Sequence, residues 1–149
     1  MGATAPRVFR ILVSSTDLSA SRSFYETLLG TPGREVSPGR VYFDCGSVIL
    51  GVLDRSEPDG SPTHPPTESI YFSTDDLDGT WARAKALGCL SSETLHDDPD
   101  QPMGEIVVRP WGERSFYVND PSGNSLCFVD ERTVFTGTPA QVEALRRSR

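Results

Sequence analysis

The sequence predicts an α+β fold, two β-α-β-β-β units within one domain, and three observations carry that expectation. A chain of 149 residues is one domain long and can bury about two-thirds of the surface its unfolded form exposes. Laid against itself, it repeats: residues 8–18 read Val-Phe-Arg-Ile-Leu-Val-Ser-Ser-Thr-Asp-Leu, and residues 67–77 read Thr-Glu-Ser-Ile-Tyr-Phe-Ser-Thr-Asp-Asp-Leu. Both copies run from a β-rich stretch through Asp-Leu into a helix-periodic segment that closes on Leu-Gly, and short β-rich runs separated by turn residues follow each.

In the first unit, residues 7–53, the opening strand leads to Asp17, a natural N-cap because its carboxylate can accept from the free amides of a first turn. Ser21, Phe24, Tyr25, Leu28 and Leu29 then recur at three- and four-residue steps, which puts the large apolar members on one helical face. Gly30 supplies the left-handed stop. Strands are expected at 34–37, 40–45 and 48–53, the last two joined through Gly46-Ser47. Residues 54–66 are polar and proline-rich and cannot continue a central strand, so they read as a linker.

The second unit, residues 67–131, repeats the logic with Asp76 as cap, Trp81, Ala84 and Leu87 on the buried stripe, and Gly88 as stop. Its strands are expected at 90–95, 106–109, 115–118 and 125–130. The last two are joined by Asp120-Pro121-Ser122-Gly123-Asn124, in which Pro presets φ and Gly-Asn tolerates positive φ. The acidic, proline-bearing loop 96–104 is long enough to be a lid or binding loop. In the tail, residues 132–149, Thr138-Pro139-Ala140-Gln141 combines an N-cap, a first-turn proline and a capping-box glutamine, predicting a short helix to Arg147.

Composition narrows the function. The 14 Lys plus Arg against 21 Asp plus Glu leave a net charge of −7, and positive charge clusters only at Arg146, Arg147 and Arg149. Nucleic acid is therefore not an expected partner, since phosphate neutralisation needs a basic face. No apolar run approaches the ~18 residues of a membrane span, so no membrane partner is expected either. Residues 1–6 lack a basic region followed by an apolar one, which points to the cytoplasm. Cys45, Cys89 and Cys127, odd in number and widely spaced, fit reduced thiols better than a disulfide framework or a zinc knuckle. A Gly-rich nucleotide loop, a Gly-x-Ser-x-Gly elbow and a His-Glu-x-x-His helix are all missing.

Asp17-Leu18 with Ser21, Phe24, Tyr25 and Leu28-Leu29-Gly30, together with Pro110-Trp111-Gly112, Phe116, Asp120-Pro121 and Gly123-Asn124, resembles the vicinal oxygen chelate superfamily. That group includes glyoxalases, extradiol dioxygenases, fosfomycin-modifying enzymes and bleomycin-resistance proteins. The resemblance covers about residues 7–131, and its Trp-Gly, Phe and Asp-Pro-x-Gly-Asn pieces look most like the bleomycin-resistance branch. It implies curved mixed sheets around a cavity, a homodimer, and, in enzymatic members, a divalent metal held by His, Gln or Glu from the first and last strands of each unit. Aligning this chain on the motifs puts Arg10, Gly51, Ser69 and Cys127 at those positions. A guanidinium has no lone pair for a metal, glycine has no side chain, serine is a poor ligand, and one thiolate is not a site. His64 and His96 fall in loops, and Asp97-Asp98-Pro99-Asp100 lacks the spacing of a calcium loop. The expectation is a cavity with neither metal nor cofactor.

Such a cavity can hold a small molecule between apolar and aromatic walls. Trp111 is the first candidate wall. Tyr71, Phe116 and Phe43 follow, with strand alternation leaving open which face the cavity and which pack under helices. Arg10 inside the cavity would favour a carboxylate, against the cation preference of an acidic protein; alternatively it pairs with Glu68 or Asp44, or is simply exposed at the start of its strand. The resulting expectation is metal-independent binding and sequestration of an antibiotic-like or metabolite ligand by Arg10, Ser69, Tyr71, Trp111, Phe116, Cys127 and Phe43. The rival is a lyase, isomerase or cyclase in the same cavity, metal-free or with a non-standard metal site, with Cys127 as nucleophile or Arg10 as an electrostatic clamp; against it stands the reading of Cys127 as an inert buried thiol.

Overall fold

The computed structural model describes residues 10–54, 69–136 and 138–147. Most of the expected linker, with His64, lies outside the described residues, as do Glu68 and residues 7–9. The chain divides into two compact units, Met1–Pro66 with Pro121–Asn124, and Thr67–Asp120 with Ser125–Arg149.

The first unit runs β1 (Arg10–Ser15), α1 (Leu18–Leu29), β2 (Arg34–Ser37), β3 (Arg40–Cys45) and β4 (Val48–Asp54). Its sheet order is β1-β4-β3-β2, with β1 parallel to β4 and the other pairs antiparallel. Alternation sends Val13, Val41, Phe43, Leu50 and Val52 to one buried face. Phe24, Tyr25 and Leu28 of α1 are buried as well, and the Tyr25 and Phe43 rings lie 5.6 Å apart. Asp17 caps α1 by accepting from Ala20 N, and Gly30 closes it at φ 68°. Ser122 Oγ accepts from Thr16 N, and Asn124 Nδ2 donates to Ser14 O, so the predicted turn at 120–124 fastens to the end of β1.

The second unit runs β5 (Ile70–Thr74), α2 (Leu77–Leu87), β6 (Val107–Val108), β7 (Arg114–Asn119), β8 (Ser125–Asp130) and α3 (Pro139–Arg147). Its order, β5-β8-β7-β6, repeats that of the first. Phe72, Phe128 and Phe116 stack across three strands at 5.1 and 5.5 Å between centroids. Leu77, Thr80 and Ala84 form the buried stripe of α2.

Three sequence expectations are corrected here. Residues 90–95 form no strand: they make isolated bridges at Leu90–Val118 and Thr94–Pro102. Along the neighbouring edge of β7, Tyr117 N donates to Met103 O while Tyr117 O accepts from Ser91 N, so residue 103 takes a position a regular strand at 90–95 would need. The strand at 106–109 shrinks to Val107–Val108. Leu87 is 37% exposed and Trp81 only half-buried. The Trp81 indole instead donates to Gly104 O, tying α2 to the 95–105 loop.

Candidate functional site

The phenylalanine stack occupies one face of the second sheet, and alternation gives the other face to Ser69, Tyr71 and Ser73, to Ser115, Tyr117 and Asn119, and to Ser125, Cys127 and Val129. Register aligns Tyr71, Cys127 and Tyr117 straight across β5, β8 and β7. The Tyr71 and Tyr117 hydroxyls are 3.3 Å apart with their rings edge-on, and Ser69 Oγ lies 2.6 Å from Ser125 Oγ. Tyr71 is nonetheless 55% exposed. Two recesses open here. One, about 380 Å³, is lined by Ser69, Tyr71, Glu93, His96, Tyr117 and Asn119 among others. The second, about 420 Å³, is lined by Tyr71, Phe72, Trp111, Glu113, Val134 and Phe135 among others. Tyr71 and Trp111 border both.

Hydrogen bonds fix these walls. Gly112 N donates to Arg109 O and Arg109 N to Glu113 O, forming the turn that carries Trp111. Glu113 accepts from Trp111 Nε1 at 2.6 Å through one oxygen and from Phe135 N at 2.8 Å through the other. Beneath Tyr117, Arg109 is only 2% exposed. Its guanidinium donates to Ser115 Oγ and O, to Gln101 Oε1, and to the carbonyls of Pro102, Met103 and Glu105, with its carbon 5.2 Å from the Tyr117 ring centroid. Burial lowers its pKa from the usual arginine value. Met103 also packs against the Tyr117, Cys127 and Val129 cluster.

Burial pushes the Cys127 thiol up to about 12, outweighing hydrogen bonds from Ser115 and Tyr117. It raises the Tyr117 phenol in the same direction, helped by the bond to Tyr71. At neutral pH both groups therefore keep their protons. A protonated thiol is a weak nucleophile.

The structure gathers four of the sequence-predicted residues, Ser69, Tyr71, Trp111 and Cys127, on or beside this face. Phe116 is fully buried in the aromatic stack of the opposite face, and Phe43 is fully buried beside Tyr25 in the first unit. Arg10, also in the first unit, is exposed, with its guanidinium carbon 5.7 Å from the Tyr42 ring centroid. Asp44 forms its ion pair with Arg34 at 2.7 Å. Sequence reasoning missed Arg109, Glu113, Tyr117 and Phe135. Tyr117 was within reach, since placing Phe116 under a helix forces its neighbour to the other face.

The family model described as Glyoxalase/Bleomycin resistance protein/Dioxygenase superfamily matches residues 7–128. The chain belongs to that superfamily. No curated protein matches it in sequence. Among solved structures, this glyoxalase/bleomycin-resistance member is similar to a lactoylglutathione lyase from Agrobacterium tumefaciens, at 23% identity over 87% of this chain and 97% of that one, TM-score 0.60. It is similar to an oxidase, ChaP-H2, at 23% identity over 86% and 95%, TM-score 0.64. A third is a bleomycin-binding protein complexed with bleomycin, at 19% identity over 85% and 99%, TM-score 0.59. Identities this low establish a shared fold.

In this superfamily member the residues at the expected metal positions do not suit a dication. Gly51 has Leu12 opposite it in β1 and Tyr42 opposite it in β3, and a Cβ there would come within 2.6 Å of Leu12 Cδ2 and 3.0 Å of Tyr42 Cε1. Those side chains occupy the space a ligand side chain would need. Arg10 supplies only donors, the Ser69 hydroxyl is a poor ligand, and one cysteine, Cys127, does not make a site. Among the described residues, no three His, Cys, Asp or Glu side chains gather as a metal site.

Proposed function

We propose that the protein binds a small organic molecule in the paired recesses of its second sheet and acts by holding it, with no metal taking part. Such sequestration would suit self-protection against an antibiotic-like compound. The observation that carries this reading is a half-exposed tyrosine kept rigid: Tyr71 is tied edge-on to Tyr117 and shares its rim with Trp111, whose indole is fixed by Glu113. Rigid aromatic surface around a hollow of this size suits a flat ligand, because little side-chain freedom is lost when it docks. A protonated Cys127 and a donor set without metal-binding capacity support binding over turnover. The homodimer implied by the resemblance and the cytoplasmic location expected from the sequence complete the proposal.

A thermal-shift screen of planar antibiotics and small carboxylates, followed by calorimetry, tests it. Saturable binding of one ligand per chain without product is the expected result, weakened about tenfold or more by Trp111→Ala or Tyr71→Ala. Turnover abolished by Cys127→Ser would replace this reading with an enzymatic one. Light scattering at working concentration decides the dimer.

A further inference from the structure

We propose that the hollow between Tyr71, Trp111, Glu113 and Phe135 recognises the positive end of a flat organic cation, a protonated amine or amidine, with Glu113 as counter-charge. This deepens the small-molecule reading above and rests on it.

The Glu113 side chain lies in a residue only 6% exposed, yet among the described residues no lysine, arginine or histidine comes within ion-pair distance of it. Nearby cations are committed elsewhere. Arg114 and Arg132 face Asp130, Arg114 also reaches Asp78, and Arg109 donates to Ser115, Gln101 and backbone carbonyls. What Glu113 has is two neutral donors, Trp111 Nε1 and Phe135 N, one on each oxygen. A carboxylate offers about four acceptor positions, so both oxygens keep capacity. A buried carboxylate short of positive charge is costly until a cation meets it, and the hollow that Glu113 lines is where one can enter. Tyr71, Trp111 and Phe135 line the same hollow, and aromatic faces attract cations. The net charge of −7 acts in the same direction at long range. An anionic ligand here would put its charge beside Glu113. Arg10, the residue that would favour a carboxylate, belongs to the first unit and lies over Tyr42.

Calorimetry with two probes of nearly the same shape tests this: proflavine, a flat cation at neutral pH, and acridine, its uncharged parent. Proflavine is expected to bind the wild-type chain about tenfold or more tightly than acridine, and Glu113→Gln is expected to bring that ratio close to one. Because each chain is read as a ratio, general loosening of the variant does not imitate the effect. Should Glu113→Gln fail to fold, the wild-type ratio and its decline with added salt decide the matter. Equal affinity of the two probes for the wild type, or a ratio that survives Glu113→Gln, overturns the cation site and leaves the aromatic binding reading standing. Failure of both probes to bind overturns the cation site, and if the antibiotic and carboxylate screen is also blank the binding reading falls with it.

Discussion

Arg109 shows how much one side chain can organise. Its guanidinium holds Gln101, Pro102, Met103 and Glu105 against the Ser115 strand. Arg109→Met would fill similar volume but leave several buried carbonyls without donors, so a loss of about 2–4 kcal/mol is expected in chemical denaturation. Buried and half-buried groups of the second unit dictate a response to alkali. Cys127, ordinarily at 9.0, rises to about 12 in the folded chain, Cys89 to about 11, and Tyr117 shifts the same way. The folded state thus favours the protonated forms. Their stabilisation is complete below about pH 9 and is lost as pH climbs toward the folded values, because the unfolded chain gives up those protons first. A urea midpoint that rose as pH climbed above about 9 would contradict this. Alkylation by iodoacetamide at mildly alkaline pH should likewise leave Cys127 unmodified until the chain unfolds. Arg109 and Glu113 escaped the sequence reading because local pattern reports neither burial nor the distant carbonyls and amides a charge finds; Cys127 was legible only as a strand position.

At the scale of elements, helix ends were legible and irregular edges were not. Asp17 and Asp76 accept from Ala20 N and Gly79 N as cap chemistry requires, and Gly30 and Gly88 end their helices at φ 68° and 70°. Replacing Asp76 with Ala should cost about 1 kcal/mol, and Gly30→Ala a similar amount through the left-handed backbone, both measurable by thermal unfolding. Residues 90–95 misled because β-rich composition does not say whether an edge is free. Here the 101–105 loop, pinned by Arg109, had already claimed part of it. Leu87 misled for a related reason: α2 is short, and only its Leu77, Thr80 and Ala84 side is buried.

Across the whole molecule the duplication was readable because each copy carries its own strand, cap and stop, and the observed orders β1-β4-β3-β2 and β5-β8-β7-β6 repeat one another. The family match over residues 7–128 falls within the span where the motifs placed it. Chemical function was less legible, since the four motif-aligned positions report what cannot be coordinated and not what is bound. Adding nickel, zinc or manganese should leave the melting temperature unchanged, whereas a resident ion with micromolar affinity would raise it. The chain has two tryptophans, and their environments differ: Trp81 donates to Gly104 O at the base of a loop, while Trp111 stands at the mouth of both recesses. In a Trp81→Phe background the remaining indole becomes an intrinsic optical gauge, so occupancy can be followed by emission quenching in unlabelled protein.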